Sequence, residues 1–216
     1  MSDALLRVEG LCVERGARLL FERLCLVLRA GEILQVVGPN GAGKSSLLRV
    51  LAGVLEPLAG RLYWRGERAR AAEYNDELLY IGHKPAVREG LTALENLRWY
   101  AHLHSVAGAD SGLRRLLRAV GLAGYECELG AWLSAGQCRR LALARLGLGV
   151  PAPLWILDEP FTALDAAGVA TVSGWIARRA EEGGAVVLAT HQAAQFGRAA
   201  VRRLAVGSGG LGERGD

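Results

Sequence analysis

The sequence predicts an α/β fold with a mainly parallel core sheet, an antiparallel N-terminal β part and a helical insertion, and three observations predict it. Two apolar runs of β character open the chain, a strand leads into a glycine-rich loop and a leucine-spaced helix, and the last third alternates helix with strand. Parallel neighbours need a crossover long enough to be a helix, so alternation of this kind argues a sheet with helices on its faces.

The runs Leu5 to Val13 and Leu19 to Leu28 flank the turn-prone Arg15-Gly16-Ala17 and read as a hairpin. Glu32 to Val37 is an apolar strand. It enters Gly38-Pro39-Asn40-Gly41-Ala42-Gly43, after which Ser46 to Ala52 spaces its leucines as a helix until Gly53. Pro57 and Gly60 punctuate a return to strand at Arg61 to Arg65, and Leu78 to Ile81 is a further short strand. Thr92-Ala93-Leu94-Glu95 matches a capping box, in which Thr and Glu satisfy each other's free amides, and starts a helix to about His104. Helices follow at Arg114 to Val120 and after Ser134, then a strand at Leu154 to Leu157, a helix over Ala166 to Ala180 and a strand at Ala185 to Ala189. The glycine-rich stretch Gly207 to Gly215 reads as a loose tail.

The chain of 216 residues suits one domain, 1–216, with the helical insertion at about 84–150 inside it and no internal repeat. Apolar residues make up 51% but lie in short runs, none near the roughly 20 that a membrane-spanning helix requires. Met1-Ser2-Asp3-Ala4 carries no basic segment followed by an apolar one, so the expected location is cytoplasmic. A net charge of +4 comes from scattered arginines such as Arg114-Arg115 and Arg202-Arg203, without the dense block that would argue for nucleic acid. Only Lys44 and Lys84 are lysines. Cys12, Cys25, Cys127 and Cys138 lack zinc spacing and are expected to be buried, reduced thiols.

Chemistry concentrates at two places. Gly38, Pro39, Asn40, Gly41, Ala42, Gly43, Lys44 and Ser45 fit the phosphate-loop pattern between a strand and a helix, and Ser46 follows as part of the nucleotide-contacting set. Glycines let backbone amides wrap phosphates, Lys44 reaches the outer phosphates of ATP, and the Ser45 hydroxyl suits Mg²⁺. Leu154 to Leu157 then ends in Asp158-Glu159, which a buried strand has no structural reason to do. A strand-end Asp near such a loop ligates Mg²⁺, and the following acid can polarise an attacking water.

Leu133-Ser134-Ala135-Gly136-Gln137 reads physically as a second capping box, Ser134 with Gln137. The same string resembles the signature of ABC ATPases. The order of phosphate loop, signature, Asp158-Glu159, Ala163-Leu164-Asp165 and His191 after a strand matches that family over nearly the whole chain. The resemblance implies a P-loop NTPase of ABC type that hydrolyses ATP as a head-to-tail dimer with a second copy of itself. It implies that Glu159 activates water, that His191 contacts the γ-phosphate, that Asp165 shapes the dimer contact, and that Ser134 and Gly136 complete the opposite copy's site.

Two positions depart from the family pattern. Arg15 stands where an aromatic residue usually stacks on adenine, and a guanidinium plane can also stack on a base. His83 stands where a Gln usually joins Mg²⁺ to the transmembrane contact. With Gly82-His83-Lys84-Pro85, residues 91–97, 154–165 and Thr190-His191-Gln192, the chain resembles the cytochrome c biogenesis haem exporter ATP-binding proteins. That resemblance implies integral membrane subunits of a cytochrome c maturation complex as partners, at the cytoplasmic face of the bacterial inner membrane. Haem is not expected to bind this chain: His102 and His104, two apart on a helix, diverge and suit a solvated helix end. An ABC transporter subunit for another cargo is the alternative, and a nucleic-acid-associated ABC ATPase is a more distant one.

Overall fold

Ala4–Arg15 (β1) and Arg18–Arg29 (β2) pair antiparallel from Ala4 opposite Arg29 to Arg15 opposite Arg18, forming the expected hairpin. The computed structural model describes residues 4–16, 18–69, 74, 76–192 and 195–207, with the backbone of 212–214. The register shifts around Gly10 and Arg23, whose φ values of 59° and 54° are those of bulge residues. Ala59–Trp64 (β4) adds to the far side of β1, and the two-residue Glu67–Arg68 (β5) adds to β4.

The second sheet holds Glu32–Val37 (β3), Leu78–Ile81 (β6), Leu154–Asp158 (β7), Ala185–Ala189 (β8), Ala200–Ala205 (β9) and Gly212–Arg214 (β10), in the order β10-β9-β3-β8-β7-β6. Every pair from β9 to β6 is parallel and β10 alone is antiparallel. All residues of β7 and β8 are buried, which is why both read as continuous apolar runs rather than alternating ones. The expected loose tail is corrected here: residues 208–211, 215 and 216 lie outside the described residues, but 212–214 pair with Arg203 to Ala205. A strand edge leaves its N–H and C=O groups unmet, and β10 meets them on β9.

Contacts divide the chain into two compact units: residues 1–82, 152–159 and 177–216, and residues 83–151 and 160–176. In the first, Lys44–Leu51 (α1) packs on β7 and β8, starting two residues before the leucine spacing suggested. Leu47, Leu48 and Leu51 of α1 join Leu6, Leu11, Leu34 and Ile156 in one core shared by both sheets.

The second unit is helical: Ala93–Leu103 (α2), Asp110–Ala119 (α3), Ala135–Ala144 (α4) and the start of Ala166–Glu181 (α5). The capping box at Thr92 is present, with Thr92 N donating to Glu95 Oε2 at 2.8 Å and Glu95 N to Thr92 Oγ1 at 3.2 Å. Leu97, Leu113, Leu117, Leu122 and Leu141 are buried among these helices. Asn96 is buried there too, its Oδ1 accepting from Arg88 N at 2.8 Å and its Nδ2 donating to the carbonyls of Arg88, Leu91 and Thr92, each at 3.0 Å.

The four cysteines are free, yet none is buried: Cys25 and Cys127 are exposed and Cys12 and Cys138 half-buried. Cys25 alternates with the buried Leu24 and Leu26 and so faces outward from β2. No helix among the described residues is long and apolar enough to cross a membrane.

Asn96→Ala leaves Arg88 N–H without its acceptor, while Arg88 C=O keeps only Leu91 N–H at 3.2 Å, and an orphaned buried polar group costs about 1–3 kcal/mol. Denaturant titration should therefore show a loss of about 2–3 kcal/mol in unfolding free energy; a loss below the error of the titration would remove Asn96 as the anchor of residues 88–92.

Candidate nucleotide-binding site

β3 ends at Val37, and the next backbone step can be made only by glycine. Gly38 has φ 156°, and a Cβ there would fall 2.1 Å from the carbonyl oxygen of Val206, just past β9. Val206 N in turn donates to Val37 O at 2.8 Å, so the end of β9 supports the base of the loop. Gly43, at φ 97°, turns the chain into α1 with no side-chain cap, leaving the first amides of the helix free for an anion. Lys44 is buried, and its ammonium donates to Gly38 O at 2.7 Å and Pro39 O at 3.0 Å. Of three donors, one remains to reach out of the loop.

Ser45, one residue into α1, donates its hydroxyl to Asp158 Oδ1 at 3.1 Å. Asp158 ends β7 and is 3% exposed, so the acid predicted at the strand end is a buried one directed at the loop. The chain then turns sharply. Glu159 takes φ 50°, a left-handed conformation that costs a non-glycine residue about 1 kcal/mol or more, and its N–H donates to Ala189 O at 2.8 Å, fixing the turn. His191, two residues beyond β8, brings Nε2 to 3.6 Å from Glu159 Oε1. That spacing is longer than a direct hydrogen bond and suits two groups converging on a third.

Arg15, Leu20, Asn40, Gly41, Gly43, Lys44, Ser45, Ser46, Glu159 and His191 line one cavity of about 230 Å³. All the candidates expected around the phosphates are thus gathered except Asp158, which sits behind Ser45, and the loop residues Gly38, Pro39 and Ala42, which form its base. Leu20 was missed. The signal was its place in β2, where Leu20 precedes the buried Phe21 and stays half-buried at the margin of the core. Two larger concavities, of about 470 and 580 Å³, run along the antiparallel sheet and share Arg7, away from this chemistry.

The second unit carries the remaining candidates. Ser134 caps α4 in the expected box, its N–H donating to Gln137 Oε1 at 2.7 Å and Gln137 N–H to Ser134 Oγ at 3.2 Å. A Cβ on Gly136 would lie 3.4 Å from Ala163 Cβ, so the start of α4 and the loop at Ala163 are neighbours. Asp165 is exposed and accepts from Gly168 N at 2.7 Å, capping the start of α5. His83 is exposed just past β6. His102 is exposed and His104 packs its ring 4.6 Å from that of Tyr100.

The family model described as ABC transporter matches residues 21–162. The chain belongs to the ABC transporter family. Among curated relatives, this family member is 52% identical over 189 residues to the cytochrome c biogenesis ATP-binding export protein CcmA of Pseudomonas syringae pv. tomato, covering 86% of this chain and 87% of the relative. To the protein of that description in Pseudomonas putida KT2440 it is 48% identical, covering 94% and 96%, and to that of Salmonella typhi 46%, covering 96% and 100%. Its backbone matches a solved ATP-binding subunit of an ABC transporter with TM-score 0.81 at 27% identity, over 97% of this chain and 90% of the other. A post-hydrolysis dimer of the ATP-binding cassette MJ0796 bound to ADP and Pi matches with TM-score 0.78 at 21% identity, over 98% and 100%, and confirms the ABC cassette fold.

Gly38→Ala should disable this cassette at the base of its loop, because the new methyl meets the Val206 carbonyl backbone rather than a flexible side chain. Titration with a fluorescent ATP analogue should show affinity reduced by at least about tenfold, the equivalent of about 1.4 kcal/mol. Wild-type affinity would show that the end of β9 yields freely.

Proposed function

We propose that this chain is the ATP-hydrolysing subunit of an ABC complex for c-type cytochrome maturation, acting in haem export or in release of a haem-loaded chaperone. The observation that carries the ATPase reading is the convergence of Lys44, Ser45 with Asp158 bonded behind it, and the Glu159–His191 pair on one cavity. The pathway is supported by relatives described as cytochrome c biogenesis ATP-binding export proteins at 46–52% identity over most of both chains. A transporter subunit for another cargo would share every feature of the ATP site.

In this reading Gly38, Pro39, Asn40, Gly41, Ala42, Gly43 and Ser46 surround the phosphates with backbone amides and Lys44 neutralises the outer ones. Glu159 accepts a proton from the attacking water, whose oxygen displaces ADP from the γ-phosphorus, and His191 holds the γ-phosphate from the other side. Arg15 stacks on the base, with Leu20 as an apolar neighbour. The Ser45 hydroxyl and the Asp158 carboxylate fit Mg²⁺: both are hard oxygen donors, and two protein oxygens are what this ion takes when nucleotide phosphates and water supply the rest. Bound there, Mg²⁺ offsets the negative charge that builds on the phosphate oxygens.

The cavity of about 230 Å³ is smaller than the roughly 300–1,000 Å³ of sites that enclose a ligand of nucleotide size. A second copy, head to tail, supplies the missing wall through its Ser134, Gly136 and Gln137, with Asp165 shaping the contact. Both units then serve one nucleotide-binding domain, 1–216, with the insertion 84–150. His83 links the ATP state to integral membrane subunits of the complex, and the pair of copies sits peripherally on the cytoplasmic face of the inner membrane.

Lys44→Ala should abolish phosphate release, since Lys84 is the only other lysine in the chain. Glu159→Gln keeps the shape but not the base, so turnover should fall by about 100-fold or more while ATP still binds, and the protein should elute as a dimer in ATP. Near-wild-type turnover in either variant sinks the assignment of its residue, and an ATP-bound monomer sinks the paired site.

Deleting the gene should remove mature c-type cytochromes from haem-stained membranes, restored by the wild-type gene and not by Lys44→Ala. Normal c-type cytochromes in the deletion strain would leave the transporter for another cargo as the surviving reading.

A further inference from the structure

Arg145, the residue at the C-terminal end of α4, is 9% exposed, and no carboxylate pairs with it among the described residues. Carbonyls meet its charge instead. Nη2 donates to Pro85 O at 3.0 Å and to Ala86 O at 2.7 Å, and the guanidinium carbon lies 4.6 Å from the centre of the Tyr100 ring. Desolvation pulls the Arg145 pKa below its usual range. Burying a charge without a counter-charge is costly, and apolar residues of similar volume are often as stable at such places. What the guanidinium supplies is a rigid planar group that meets the Tyr100 ring while one of its nitrogens, Nη2, donates to two successive carbonyls.

Those carbonyls belong to the segment that leaves β6, where His83 and Lys84 are exposed and Ala86 is held at φ 51°. Asn96 grips the same segment farther on, at Arg88 and Leu91. Ser134 stands at the opposite end of α4, about 15 Å away for a helix of 10 residues. We propose that Arg145 is a positioning residue that fastens the His83–Lys84 segment to α4, so that a displacement at Ser134 reaches His83 as movement of one rigid piece. This rests on the reading above, in which Ser134 faces the opposite copy's nucleotide and His83 faces the membrane subunits.

The test measures ATP turnover of the complex purified with its membrane subunits and of the isolated chain, and reads the ratio of the first to the second. His83→Ala should lower that ratio by about tenfold, within the usual range of coupling between sites. Arg145→Met should lower it to a similar extent while the KM for ATP of the isolated chain stays within about twofold of wild type. Arg145→Lys, which keeps donors but not the planar group, should recover part of it. The double variant His83→Ala with Arg145→Met should be no worse than His83→Ala alone, because both act through one element. Should Arg145→Met not fold, Tyr100→Leu loosens the same clamp, and amide exchange over residues 84–91 of Arg145→Lys should rise above wild type. A wild-type ratio in Arg145→Met beside a lowered one in His83→Ala overturns the clamp and leaves the His83 reading standing, as do additive losses or unchanged exchange. An unaltered ratio in His83→Ala overturns that reading and the clamp with it.

Discussion

The hydrogen bond from Ser45 to Asp158 joins residues 113 apart in sequence, and the candidate nucleotide site depends on the strand order that brings them together. β3, β8 and β7 are parallel neighbours, so all three end at the same edge of the sheet. β3 delivers the phosphate loop there, β8 delivers His191, and β7, one strand farther, delivers Asp158 and Glu159. Open parallel sheets place ligands beyond the carboxyl ends of their strands for this reason: the side chains arrive from different parts of the chain but the backbone geometry that aims them is common. The buried apolar runs of β7 and β8 are what make that edge rigid.

Motifs closed by local physics were legible in the sequence. The phosphate loop is contiguous, both capping boxes span four residues, and Asp158-Glu159 follows directly on its strand, so each carries its own geometry. Strands that depend on a distant partner were not. Ala200 to Ala205, interrupted by Arg202-Arg203, drew no strand assignment from its own residues and is a strand beside β3; Gly212–Arg214 is a strand only because β9 leaves an edge. Leu20 was hidden for a related reason, since a half-buried leucine in a hairpin has no local mark of function. The cysteines show the limit of composition: the habit of the residue type is burial, but the alternation of β2 decided the side for Cys25.

The helical unit solves a different problem. Its connections carry exposed residues in fixed places, and fixing a loop requires something behind it. Leucines bury area without direction, whereas Asn96 and Arg145 specify which carbonyl goes where. Buried polar groups with every partner met rigidify their surroundings, and the cost of leaving one unmet keeps the loop from relaxing.

The contact between Gly38 and the Val206 carbonyl carries a consequence for how the protein is made. The loop is translated well before the strand that props it, and the two meet only when residue 206 has emerged. A chain that has emerged past Ser46 but not as far as residue 206 holds every residue of that loop without the carbonyl at its base. The base of the loop is therefore laid down last, long after the residues that line it.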